Sequence, residues 1–262
     1  MKVFLQQTIR EAGHIGLSFF GKNPSFKIKS NPNDIVTEAD EAVSDFLVGK
    51  IHETYPSHHI MSEELATDIN KGADIEWVID PIDGTWPFSK GIPTWAIMIS
   101  VLEKGETILA AVYFPVQDDL FFAEKGKGAF RNDKQIHVSN ADSLNNTTCI
   151  IHRSASVGPY GVLLERFRHM FTRFVLETEV ALMNVGSAAS LCYVAAGAID
   201  FATGNAGLDW DRLPVNLICE EAGAIVTDSD GNEWVRGRQD YVIANSDLHP
   251  KVMEMFLPSR NT

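Results

Sequence analysis

Apolar residues at Val3, Ile9, Ile15 and Phe19 recur at helical spacing and are punctuated by Gly21 and Pro24, so the chain is expected to open with a helix. After a turn at Asn31-Pro32-Asn33, the residues Val43, Phe46, Leu47 and Ile51 mark the buried face of a second helix, N-capped by Thr37 and stopped near Tyr55-Pro56. The runs 59–62 and 75–80 are short, apolar and end abruptly in acids, which is how strands deliver side chains to a sheet edge. Across 95–137, strand-like runs alternate with Lys104-Gly105, Gln117-Asp118-Asp119, Gly126-Lys127-Gly128 and Asn132-Asp133, the rhythm of an antiparallel meander.

The second half alternates differently. Residues 149–152, 174–177, 200–203, 224–227 and 241–244 read as strands, and 162–171, 187–196, 211–222 and 249–256 as helices, giving a mixed α/β class. The least hydrophobic joint falls at 139–146, dividing an N-terminal lobe (1–140) with the meander from a C-terminal α/β lobe (141–262) that supplies Asp211 and the substrate pocket. The uncharged run 180–199 is long enough to test as a membrane span. Asn184 and the small residues Gly186, Ser187, Ala188, Ala189 and Ser190 dilute it, so it reads as a buried helix and no membrane partner is expected.

Composition narrows the possibilities. With 262 residues, 45% hydrophobic and 22% charged, the chain can bury a large core. Its net charge of −13 repels duplex DNA and anionic bilayers, and a small phosphorylated ligand can approach only where cations mask carboxylates. Cys149, Cys192 and Cys219 have no metal-ligand spacing and are odd in number, which fits a reducing cytoplasm. Gln6, Gln7, Arg10, Glu11 and His14 break the apolar continuity that a secretion signal needs.

The chemistry concentrates in Asp80-Pro81-Ile82-Asp83-Gly84-Thr85. Pro81 restrains the backbone between two carboxylates and Gly84 permits a close turn, so both acids can face one spot, an arrangement that calls for a cation. The same residue types also build ordinary turns. Ser62-Glu63-Glu64 again ends an apolar run, where Glu64 reads as a solvated acid at a helix start and Glu63 as a ligand candidate. Asp211, after Trp210 and ahead of Pro214, sits at the mouth of a helix, where an N-cap aspartate needs no catalytic explanation.

These motifs, with Asp34-Ile-Val-Thr-Glu-Ala-Asp40, Gly186-Ser-Ala-Ala189 and Glu221-Ala222-Gly223 in the same order, resemble the inositol monophosphatase family over nearly the whole chain. The resemblance implies a layered α/β/α/β/α sandwich, a cytoplasmic homodimer and a lithium-sensitive phosphomonoesterase with two or three Mg²⁺ ions. It assigns Glu63, Asp80, Asp83, Asp211 and the carbonyl of Ile82 to metal. Thr85 and Asp40, with Glu63, would serve attack of metal-activated water, and Asp83, Gly84, Thr85, Ser187, Ala188 and Asp211 would meet substrate. Hard Mg²⁺ suits oxygen donors and direct in-line displacement. Asp40 also sits where an acid simply caps the second helix.

Two departures bear on substrate. Trp86-Pro87-Phe88 replaces the Thr-Asn-Phe of inositol-selective members, with Trp86 read as packing more than as a stacking platform, and Gly204 stands where those members carry a hydroxyl-gripping glutamate. The default substrate is inositol monophosphate or a related sugar or polyol phosphate. Histidinol phosphate, a nucleotide 3′-phosphate and fructose 1,6-bisphosphate are alternatives, though Trp86 stands where the first two branches carry lysine. The Asp-x-x-Asp spacing differs from the Asp-x-Asp of haloacid dehalogenase phosphatases, so no aspartyl-phosphate is expected. A non-catalytic metal- or phosphate-binding regulatory module is the alternative from another class. Lys29 matches a family position near the site and otherwise reads as a surface lysine.

Overall fold

The computed structural model describes residues 1–22, 25–29, 35–152, 161–184 and 186–257. Pro24, the Asn31-Pro32-Asn33 turn and Asp34 therefore lie outside the described residues. Helix α1 (Lys2–Phe19) precedes an antiparallel pair, β1 (Phe26–Ile28) and β2 (Ile35–Thr37), and helix α2 (Glu38–Thr54). α1 buries Leu5, Ile9, Ala12, Gly13 and Gly16, while Val3 is 64% exposed, so the buried stripe is rotated away from the expected Val3. α2 begins at Thr37 as its capping chemistry predicts.

A seven-stranded sheet follows. Its strands β3 (His59–Ser62) and β4 (Ile75–Asp83) are parallel; after the short helix α3 (Thr85–Ser89), β5 (Ala96–Glu103), β6 (Glu106–Phe114), β7 (Asp119–Glu124), β8 (Ala129–Arg131) and β9 (Lys134–Ile136) add antiparallel in chain order. The Lys104-Gly105 and Asn132-Asp133 connections have positive φ at both residues, the mirror-image turn that matches strand twist in two-residue hairpins.

The second sheet has the order β11-β10-β12-β14-β13. Along the chain, β10 (Thr148–His152) leads to α4 (Gly161–Glu177), β11 (Ala181–Met183), a 3₁₀ turn (Ala188–Leu191) and α5 (Cys192–Ala195). Next come β12 (Phe201–Asn205), α6 (Asp209–Glu221), β13 (Ile225–Thr227), β14 (Asp240–Ala244) and α7 (His249–Glu254).

Two expectations are corrected here. Residues 174–177 are the last turn of α4, not a strand; Val175 and Leu176, 55% and 77% exposed, point outward and gave that run its misleading apolar look. Nor is 180–199 one buried helix: it holds the exposed edge strand β11, then the 3₁₀ turn and the short α5. Small residues lower the cost of close approach but give a helix little to bury, so tertiary packing decides the backbone.

The layers run α1 and α2, seven-stranded sheet, α5 and α6, five-stranded sheet, then α4 and α7. Leu47, Trp77 and Trp95 fill the first interface, Val215, Ile218 and Ala202 the second, and Phe167, Phe174 and Phe201 the third. Each fully buried leucine or isoleucine side chain here contributes about 2 kcal/mol. Among the described residues, no helix is long and apolar enough to cross a membrane.

Candidate metal centre and substrate cavity

β4 does not stop at Asp80 but runs through Asp83, with a bulge between them where it pairs with β5. Pro81 sits in that bulge, where its missing N–H breaks no ladder bond. Gly84 then adopts a left-handed conformation (φ 87°), and a Cβ there would press within 3.0 Å of Ser187 and 3.3 Å of the Thr94 carbonyl. Parallel pairing of β3 with β4 brings Glu63 beside this end, its N–H donating to the Ile79 carbonyl at 3.1 Å.

Carboxylate oxygens of Asp80, Asp83 and Asp211 lie within 4.8 Å of one another. Asp80 and Asp83 are buried and Asp211 partly exposed. Burial raises all three above the ordinary carboxylate range: Asp83 to about 6, Asp211 to about 7, and Asp80 well upward, with the charges of Glu63, Asp83 and Asp211 adding to its shift. Asp83 is steadied by N–H groups of Ala188 (3.0 Å) and Ala189 (2.5 Å), and Asp211 accepts the Leu208 N–H at 2.6 Å. Asp80 Oδ1 is buried and has no hydrogen-bond partner among the described residues. An orphaned anionic oxygen amid three all-oxygen donors fits a hard divalent cation.

Asp40 performs the capping role and reaches the site as well. Its Oδ2 accepts the Thr37 N–H (2.9 Å) and hydroxyl (2.5 Å), while Oδ1 accepts the Thr85 hydroxyl at 3.2 Å. Burial lifts Asp40 to about 6 despite the Thr37 bonds that pull it down. The Thr85 hydroxyl also stands 3.1 Å from the Ile82 carbonyl, so its one hydrogen is shared between two acceptors.

Several assignments change in detail. Lys29 is no idle surface lysine, since its ammonium lies 2.9 Å from Glu63 and 2.5 Å from Glu64. Glu64 is not a solvated helix start: no helix follows it, and burial raises it to about 7. The Ala188 amide, expected to meet substrate, donates to Asp83, and Ser187 is buried at the cavity wall. Trp86 packs 6.0 Å from the Phe26 ring with Lys90 over its face at 5.0 Å, in keeping with a packing role. Glu221 binds the N–H groups of Gly126 (2.6 Å) and Gly128 (2.7 Å), fastening the β7–β8 turn away from the acids.

A cavity of about 330 Å³ opens beside the acids, lined by Asp83 and Asp211 together with His152, Asn184, Ser187 and Gly207. His152 and Asn184 carried no signal as site residues in the sequence: β10 pairing places His152 at this wall, and Asn184 reaches it just after β11.

Residues 1–261 match the model of the inositol monophosphatase family. A fructose-1,6-bisphosphatase/inositol-1-monophosphatase of Thermotoga maritima is 32% identical over 252 residues, covering 96% of this chain and 94% of the relative. A putative Nus factor SuhB of Neisseria meningitidis is 34% identical over 249 residues, covering 95% and 93%. Among solved structures, the Thermotoga maritima IMPase superposes with a TM-score of 0.85 at 31% identity, covering 95% of this chain and 94% of that one. The extragenic suppressor protein suhB of Bartonella henselae superposes with a TM-score of 0.90 over 100% of this chain and 99% of its own; at 24% identity it speaks for the fold alone.

Proposed function

The chain belongs to the inositol monophosphatase family, and we propose that it hydrolyses a small phosphate monoester by direct attack of water in a magnesium-dependent reaction. The observation that carries this reading is the buried Asp80 Oδ1, without a hydrogen-bond partner among the described residues and clustered with Asp83 and Asp211. Asp80, Asp83 and Asp211, with Glu63 and the Ile82 carbonyl, would hold two or three Mg²⁺ ions. Bound there, the ions supply Lewis acidity towards water, phosphate and the departing alkoxide.

The remaining work falls to the chain's own groups. Thr85 donates its hydroxyl hydrogen to Asp40, which turns its lone pairs towards the attacking water, and Asp40, raised to about 6, takes up the released proton. The backbone of Gly84 and Thr85 meets the phosphate oxygens, while Asp83 is held still by the Ala188 and Ala189 amides. The water arrives in line, opposite the alcohol, and no phosphoenzyme forms. The Lys29 ammonium, 2.9 Å from one Glu63 oxygen, shares that carboxylate with any cation held at the cluster.

Inositol monophosphate or a related sugar or polyol phosphate is the preferred substrate class; the name of the Thermotoga maritima relative also keeps fructose 1,6-bisphosphate in view. Histidinol phosphate and a nucleotide 3′-phosphate are tested beside them. Lithium sensitivity, a homodimer and a cytoplasmic setting accompany this reading by resemblance to the family. Phosphate release from such a panel is expected with Mg²⁺ and lost with EDTA. Turnover that survives EDTA would refute the mechanism. The likeness to relatives named Nus factor SuhB supports a second reading, a non-catalytic Nus-factor role, which metal binding without turnover on any substrate would favour.

A further inference from the structure

His152, which lines the candidate cavity together with Asp83 and Asp211, is packed against a missing side chain. Gly204, in β12, faces His152 across the β10–β12 ladder, and a Cβ on it would stand 2.7 Å from the His152 carbonyl and 2.8 Å from Tyr241. The space a side chain at 204 would fill therefore belongs to the Tyr241 phenol, which is fully buried and lies under the Arg212 guanidinium at 3.6 Å. Its hydroxyl is 2.8 Å from Nδ1 of His152.

The hydrogen-bond arithmetic fixes the imidazole's state. Burial, with the nearby Arg212 charge, lowers the His152 pKa to about 4, so the ring is neutral and has one donor and one acceptor. If Nδ1 carried the hydrogen, the buried Tyr241 hydroxyl would accept there and its own hydrogen would need a second acceptor, of which none is seen among the described residues. With the phenol donating to Nδ1, the hydrogen sits on Nε2, which is buried and has no partner among the described residues. Asp83, Asp211 and His152 line the same cavity.

We propose that His152 is a specificity-determining residue, which donates its Nε2–H to an anionic oxygen, a carboxylate or second phosphate, on the alcohol portion of the substrate. This rests on the hydrolase reading above and names its substrate class. A carboxylate at this wall would accept from hydroxyls and repel anions; an imidazole N–H backed by a buried guanidinium does the reverse. Tyr241 is a positioning residue that sets the tautomer, and Gly204 is what admits it.

The test compares two compounds that differ only at the acceptor: 3-phosphoglycerate, with a carboxylate, and glycerol 3-phosphate, with a hydroxymethyl group. His152→Leu is expected to lower kcat/KM for 3-phosphoglycerate about tenfold more than for glycerol 3-phosphate, with KM carrying the change. His152→Gln, which returns an N–H donor, restores most of the preference, and Tyr241→Phe weakens it by freeing Nδ1. Thermal melts establish that each variant folds. Equal losses on the two compounds in both His152 variants would reduce His152 to packing and overturn this proposal alone. No magnesium-dependent hydrolysis of either compound by the unaltered protein, on top of a silent panel, would remove the hydrolase reading and this proposal together.

Discussion

Helices α2 and α6 begin in the same way and end up doing different amounts of work. Each has an aspartate in its first turn, Asp40 or Asp211, with one oxygen on the N–H three residues back (Thr37 at 2.9 Å, Leu208 at 2.6 Å) and the carboxylate turned to the candidate site. At α2, Thr37 closes the cap from its own side as well, its hydroxyl accepting the Ala39 N–H at 3.2 Å and donating to Asp40. Leu208 has no such oxygen, so at α6, among the described residues, the aspartate alone supplies the side-chain cap, and it is a candidate metal ligand at once. A capping role and a catalytic role are thus not rivals: a cap needs one carboxylate oxygen and leaves the other to be aimed.

Substitutions can break this parallel. Asp211→Asn is expected to lower kcat by about 10³-fold, because an amide replaces a charged ligand, whereas Asp40→Asn lowers it about 10²-fold through the Thr85 relay; steady-state phosphate release compares the two. Equal losses would mean that Asp40 also binds metal.

The titrations sharpen the contrast. Without metal, Asp40 should titrate near 6 and Asp211 near 7: burial lifts both, the Thr37 bonds hold Asp40 down and the Asp83 charge adds to the rise of Asp211. Both values lie above the usual carboxylate range, so the fold binds these protons more tightly than the unfolded chain does. Their contribution to stability is complete below about pH 4 and is lost as pH rises through 6 and 7. Metal-free protein should therefore melt lower at pH 7.5 than at pH 5, and Mg²⁺ should reverse the loss. Asp80→Asn should flatten the decline without sacrificing a hydrogen bond at Oδ1, and an unchanged slope would show that the acids do not interact. The smallest effect expected is from Thr37→Val, about 1 kcal/mol by denaturant melts with a small rise in the Asp40 pKa.

Local patterning made much of this legible. α2, β3, β4 and the meander follow from period and turn residues; Glu63, Asp80 and Asp83 stood out because acids ended apolar runs, whereas Asp211 read as a helix cap and took its metal role from the family resemblance. What remained hidden depends on distant partners. The outward-facing Val175 and Leu176 at the end of α4 imitate a strand, and the uncharged 180–199 run gives no sign that it breaks into an edge strand and a 3₁₀ turn. Lys29 needed the fold to reach Glu63, and His152 meets Tyr241 only because β10 and β14 flank β12.

Residues three apart on a regular strand point to opposite faces of the sheet, which would bury one of Asp80 and Asp83 in the hydrocarbon layer and leave the other at the cleft. The extra residue in β4 resets that parity, so both carboxylates emerge on one side while the ladder with β5 resumes at Ala96. Shortening the segment by one residue would therefore separate the pair while keeping every acid in the chain: the geometry of this cleft is encoded in a count, and counting acids alone would miss it.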